Sequence, residues 1–201
     1  MRVCFVGDSF VNGTGDPDCL GWAGRVCAAA RHAGRDVTYY NLGVRRETSA
    51  DVAARWEQEV ARRLPPDHPE YDPRVVFSFG VNDTTGTTTE GGGTRIPPDR
   101  SLEDLRAILV PAQRRYPVLF VGPPPVASGA QNQRIAALSS DYAGVCAELG
   151  VPYLATFATL SASPTWMREV TAGDGSHPGA GGYAELANLV SAWEPWKAWL
   201  V

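Results

Sequence analysis

The chain has 201 residues, 44% of them apolar and 20% charged, with a formal net charge of −4. That length fits one ordinary domain, residues 1–201, which buries about 70% of its unfolded surface and needs neither a disulfide nor a metal to fold. The acidic balance argues against a nucleic-acid or anionic-membrane surface, and the cations are 17 scattered arginines and Lys197. Cys4, Cys19, Cys27 and Cys146 form no C-x-x-C pair and read as free thiols. No apolar stretch reaches 18 residues, so no membrane insertion is expected. Met1-Arg2 leads straight into a strand without a signal peptide, so the expected setting is cytoplasmic.

Taken in chain order, apolar runs alternate with helix-like stretches. A strand over 2–6 ends in Gly7-Asp8-Ser9-Phe10, and a helix is expected over 21–33. A second strand, 36–41, runs into Asn41-Leu42-Gly43. The next helix, 48–63, begins with Thr48 and Ser49 as caps and Asp51 in its first turn. A third strand, 74–79, precedes Gly80-Val81-Asn82-Asp83 and a long Thr- and Gly-rich loop over 84–100. Loops of that length are often functional. A helix over 101–115, a strand over 117–121 and the stiff run Gly122-Pro123-Pro124-Pro125 follow. A helix over 131–149 closes at Gly150, and the last strand is 151–155. Residues 156–178 read as irregular, ending in Asp174-Gly175-Ser176-His177-Pro178 before a helix over 179–191. Trp193, Trp196 and Trp199 read as docking the C-terminal segment on the body, with a homodimer contact as the alternative. Five repeats of strand and helix predict an α/β fold with a parallel sheet covered on both faces.

Ligands bind at the carboxyl ends of the strands in such sheets. Ser9 therefore stands where a nucleophile is useful, but a serine hydroxyl needs a base to take its proton. Of the three histidines, His32 sits late in a helix and His68 in a Pro-rich turn, and both read as surface residues. His177 follows an acid by three residues, a spacing that lets Asp174 hold one ring nitrogen while the other faces outward. Oxyanion donors are available at each of the first three strand ends: the Ser9 amide, the Gly43 amide and the Asn82 side chain. Asp8 and Asp83 read as bonding backbone N–H groups that shape the Ser9 and Asn82 loops.

Gly7-Asp8-Ser9, Gly43, Gly80-Val81-Asn82-Asp83 and Asp174-Gly175-Ser176-His177-Pro178 resemble, in order, the four sequence blocks of the GDSL/SGNH hydrolase family, with a likeness to a small bacterial lipase subgroup. The resemblance implies a three-layer α/β/α flavodoxin-like fold with a five-stranded parallel sheet. It also implies Ser9 as nucleophile, His177 as general base and acid, and Asp174 as its orienter. Ser9 N–H, Gly43 N–H and the Asn82 side chain would form the oxyanion hole. The departure is Phe10 where the family name has Leu; both are apolar and pack under the turn.

The expected activity is hydrolysis of carboxylic esters through an acyl-enzyme, without metal or cofactor. An acyltransferase, thioesterase or cyclase would use the same intermediate. A phosphate- or nucleotide-binding module of flavodoxin type is disfavoured, because the loop after the first strand carries Asp8, Asp16 and Asp18 and no cation. The polar 84–100 loop favours a small-molecule acyl ester that is short or polar, and Arg45, Arg46 and Pro123 are candidate substrate contacts.

Overall fold

A computed structural model describes residues 1–65, 68–87 and 92–201. Residues 88–91 of the expected polar loop, and residues 66 and 67 of the turn before His68, lie outside the described residues. Five strands, β1 (Arg2–Gly7), β2 (Thr38–Gly43), β3 (Pro73–Ser78), β4 (Val118–Val121) and β5 (Tyr153–Leu154), form one sheet in the order β2-β1-β3-β4-β5. Every pairing is parallel. The strand order reverses between β1 and β3, and the crevice at such a switch point is where an open α/β sheet takes its ligand.

The central strands β1, β3 and β4 bury both faces. Along β1, Val3 and Phe5 point into one core with Trp22, Tyr183 and Trp196, while Cys4 and Val6 point into the other with Trp56, Phe77 and Leu105. That alternation is the pleat at work, and it forces helices onto both sides. One layer contains α2 (Gly21–His32), α7 (Pro164–Ala172), α8 (Ala180–Ala192) and the short α9 (Glu194–Ala198). The other contains α3 (Ser49–Arg63), α4 (Pro98–Gln113) and much of α5 (Gly129–Leu149). Trp196 is buried within its own chain, its ring 6.0 Å from that of Phe5, so the C-terminal segment docks on the body.

Two expectations are corrected. Residues 156–178 are not wholly irregular, because α6 (Phe157–Ser161) and α7 lie within them. Ser163 caps α7 by accepting from Trp166 N at 3.0 Å, and Pro164 occupies the first helical turn, where its missing N–H costs nothing. The described part of 84–100 is also not a plain loop. Gly86 and Thr94 form an antiparallel bridge, Arg95 N donates to Thr85 O at 2.9 Å, and α4 already begins at Pro98. Smaller shifts have simple causes. β2 runs on to Gly43 because β1 offers it a partner up to Gly7, and β5, at the sheet edge, shrinks to two residues.

Candidate active site

The crevice is built from the ends of β1, β2 and β3. Gly7 closes β1, and a Cβ there would lie 1.8 Å from Ser78 O, so only glycine lets β1 and β3 end side by side. Asp8 then caps the short helix α1 (Ser9–Asn12), its Oδ1 accepting from Phe10 N at 2.9 Å. Ser9 thus sits at the first position of α1, where N–H groups lack intrahelical partners. At the end of β2, a Cβ on Gly43 would meet Asn12 N at 2.1 Å. Glycine is required there because α1 packs directly on it.

Asp174 and His177 come from the corner between α7 and α8. Asp174 Oδ1 accepts from Ser176 N and His177 N, both at 2.9 Å, which closes the turn. Asp174 Oδ2 lies 2.7 Å from His177 Nδ1, and His177 Nε2 lies 2.7 Å from Ser9 Oγ. Partial burial pushes the Asp174 carboxyl up, but the His177 N–H, the His177 ring and the Ser176 N–H outweigh it and hold the group at about 2. Phe10 backs the imidazole with its ring centroid 5.0 Å away and is itself buried, as expected for the residue under the turn. Glu169 of α7 fixes the far side of the corner by accepting from Gly182 N at 2.7 Å.

The three expected oxyanion donors follow the adjacent ends of β1, β2 and β3, and they are not equally free. Asn82 Nδ2 donates one hydrogen to Glu47 O at 2.9 Å, which orients the amide and leaves the second hydrogen. The Gly43 N–H donates to Asn41 Oδ1 at 3.0 Å, so an oxyanion must share or displace that acceptor. Gln131 of α5 braces the Asn82 turn through Val81 O at 3.1 Å and Thr84 Oγ1 at 3.2 Å.

Asp8 and Asp83 lie beneath these loops. Asp83 accepts from Ser49 N at 2.8 Å and from Ser101 Oγ at 2.5 Å, and Ser101 continues to Tyr142. Both carboxylates therefore bond the backbone N–H groups expected of loop-shaping residues. Asp8 keeps Oδ2 buried without a hydrogen-bond partner. Burial, opposed by the Phe10 N–H and reinforced by the charges of Asp83 and Glu47, pushes Asp8 up to about 7.

Of the expected substrate contacts, Arg45 and Arg46 are exposed beside Gly43, and Arg45 is near enough to the Tyr183 hydroxyl to oppose its upward shift. Pro123 is buried and so is not an exposed contact surface. His32 is exposed at the end of α2, and His68 pairs with Glu70 at 2.8 Å. Asp16 and Asp18 pair with Arg25, and Asp16 also accepts from Gly21 N at 2.7 Å, so those acids brace the start of α2. An open groove of about 420 Å³ runs along Gly15, Pro17, Glu169, Asp174 and His177. Among the described residues no cluster of three His, Cys, Asp or Glu side chains could hold a metal ion, and no helix is long and apolar enough to cross a membrane.

A parallel α/β sheet with a hydroxyl, an imidazole and a carboxylate in hydrogen-bonded sequence at its switch point has the form of a hydrolytic enzyme. The chain matches the GDSL-like lipase/acylhydrolase family over residues 5–185; it belongs to that family and is a hydrolase. Its fold is similar to that of the lipase/acylhydrolase from Enterococcus faecalis (TM-score 0.73, 21% identity, covering 94% of this chain and 93% of that one). It is also similar to Axe2, an acetylxylan esterase from Geobacillus stearothermophilus (TM-score 0.74, 17% identity, 96% and 95% covered). TesA is a third such structure (TM-score 0.72, 22% identity, 99% of both chains covered). No curated protein sequence matches the chain.

Proposed function

We propose that this acylhydrolase cleaves short or polar carboxylic esters through a covalent intermediate on Ser9. The observation that carries the reading is the unbroken relay Asp174–His177–Ser9, with both links at 2.7 Å. His177 Nε2 takes the Ser9 proton as Oγ attacks the acyl carbonyl. Asp174, ionised at any pH above about 2, keeps the Nδ1 proton in place and stabilises the imidazolium that forms. The tetrahedral oxyanion is received by the Ser9 and Gly43 N–H groups and the free hydrogen of Asn82 Nδ2. His177 then protonates the leaving alcohol, the acyl-enzyme forms, and water repeats the sequence in reverse.

The preference for short or polar acyl groups rests on the surroundings of the relay. Arg45 and Arg46 are exposed next to Gly43, and the groove beside His177 is open to solvent. The segment after Asn82 is rich in Thr and Gly. The test is an acyl series from acetate to palmitate, run with p-nitrophenyl esters, acetylated sugars and acyl thioesters. The reading expects kcat/KM to be highest for short oxygen esters and unaffected by EDTA. A preference for long chains, or for thioesters, overturns it.

A further inference from the structure

The oxyanion donors come from three strand ends, and the sheet ladder, which ends at Gly7↔Gly43 and Gly7↔Ser78, takes in Gly43 but stops short of Ser9 and Asn82. Something beyond the ladder has to fix their spacing, since a donor works only within hydrogen-bond reach of the developing charge. We propose that Arg55 of α3 is the positioning residue that holds these three strand ends in register. The inference rests on the acyl-hydrolase reading of the site.

The guanidinium reaches two of the three segments directly and the third through Glu47. Its Nη2 donates to Gly7 O at 3.0 Å, two residues before Ser9, and to Leu42 O at 2.9 Å, one residue before Gly43. Its Nε donates to Glu47 Oε2 at 2.6 Å, and Glu47 in turn accepts Asn82 Nδ2 on its backbone carbonyl. Nη1 reaches Glu59 Oε1 at 3.2 Å, so two carboxylates balance the charge. The side chain is only 17% exposed. Arg55 follows Val52 by three residues and adjoins Trp56 at the rim of the buried face of α3, from where it points at the sheet edge. An ordinary surface arginine on a helix would need only the Glu59 pair. Two strand-end carbonyls and the Glu47 clamp are what set Arg55 apart. The work suits a planar fork with five N–H donors, whereas a lysine ammonium is a compact charge with three and cannot span the same acceptors.

The test compares Arg55→Met and Arg55→Lys with the wild type. Steady-state kinetics should show kcat lower by about 10²-fold, the scale of losing one oxyanion donor, with KM within about twofold. Lysine should not restore the rate. In an Asn82→Ala background, Arg55→Met should cost markedly less than it does alone, because the two act on one feature. Independently of turnover, the ¹⁵N signals of the Gly43 amide and the Asn82 side chain should move in both variants. Unmoved signals, full rescue by lysine, or additive losses with Asn82→Ala overturn the inference. If Arg55→Met does not fold, Arg55→Lys decides by the same readings. If the wild type shows no ester turnover that depends on Ser9, the functional reading fails, and the amide signals still decide the role of Arg55.

Discussion

Ser9 Oγ and His177 Nε2 lie 2.7 Å apart although 168 positions separate them in the chain. Neither is held by its own loop alone. Ser9 is fixed by the end of β1 and the Asp8 cap, and His177 by the α7–α8 corner that Asp174 and Glu169 brace from two sides. The contact is therefore a property of the whole α/β layer arrangement, and it can be probed at several points.

Asn82→Ala should lower kcat by about 10²–10³-fold, the usual loss for one oxyanion donor, with a smaller change in KM. The fold should survive, since Asn82 makes its bond to Glu47 at the half-buried edge of the site. A loss confined to KM would make Asn82 a substrate-binding residue.

Asp174→Asn should cost about 10²–10⁴-fold in kcat. The amide oxygen can still accept from Ser176 N and His177 N, but the amide nitrogen faces His177 Nδ1 and drives the proton onto Nε2. In that tautomer the ring cannot accept the Ser9 proton. Because the Asp174 carboxyl is lowered from 3.8 to about 2, it adds stability that is present above about pH 4 and lost as pH falls through 2. Acid titration of the wild type against Asp174→Asn, followed by tryptophan fluorescence, should show their stability difference shrink across that window. A difference that stays constant from pH 5 to pH 2 contradicts the assignment.

Asp8→Asn should stabilise the protein at neutral pH and above. Asp8 is raised from 3.8 to about 7, so the folded state retains a proton that the unfolded state has released, and stability falls as pH rises from about 4 to 7. Asparagine keeps the cap to Phe10 N and removes the buried charge. The gain above pH 7 should be on the order of 2–4 kcal/mol in urea unfolding and should vanish near pH 4. A variant no more stable than the wild type at pH 8 contradicts this.

Trp196→Ala should destabilise the fold by about 3–5 kcal/mol, as expected for emptying a large buried site. The side chain is 1% exposed and packs on Phe5 in the core on one face of the sheet, so kcat well below the unfolding temperature should hold. Urea midpoints check the first part and gel filtration the second reading: a change of elution volume without loss of stability would point to a contact between copies.

The candidate site was legible in the sequence because each of its members announces itself locally. Ser9, Gly43 and Asn82 each fall at or just past the end of a strand, and Asp174 and His177 share one turn. Asp8 and Asp83 bond backbone N–H groups as their types suggest. What the sequence hides is the bracing from a distance. Arg55 sits in an amphipathic stretch with many charges and looks like a solvated arginine; only the fold shows its reach to Gly7 and Leu42. Gln131 and Glu169 are hidden for the same reason, since their partners are 50 and 13 positions away. The helix α7 did carry a local signal, Ser163-Pro164 as cap and first residue, masked by the Gly, Ser and Pro around it. The occupied Gly43 N–H had none, because an Asn two residues upstream is equally at home bonding elsewhere.

Acylation of Ser9 is the step on which the proposed mechanism turns. Mixing the protein with p-nitrophenyl acetate, quenching within the first turnover and mapping the peptides by mass spectrometry tests it most directly. An acetyl group should appear on Ser9 with a burst of nitrophenol close to one per active site, and both should be lost in Ser9→Ala. Hydrolysis by Ser9→Ala at the wild-type rate, with no adduct on Ser9, would contradict it.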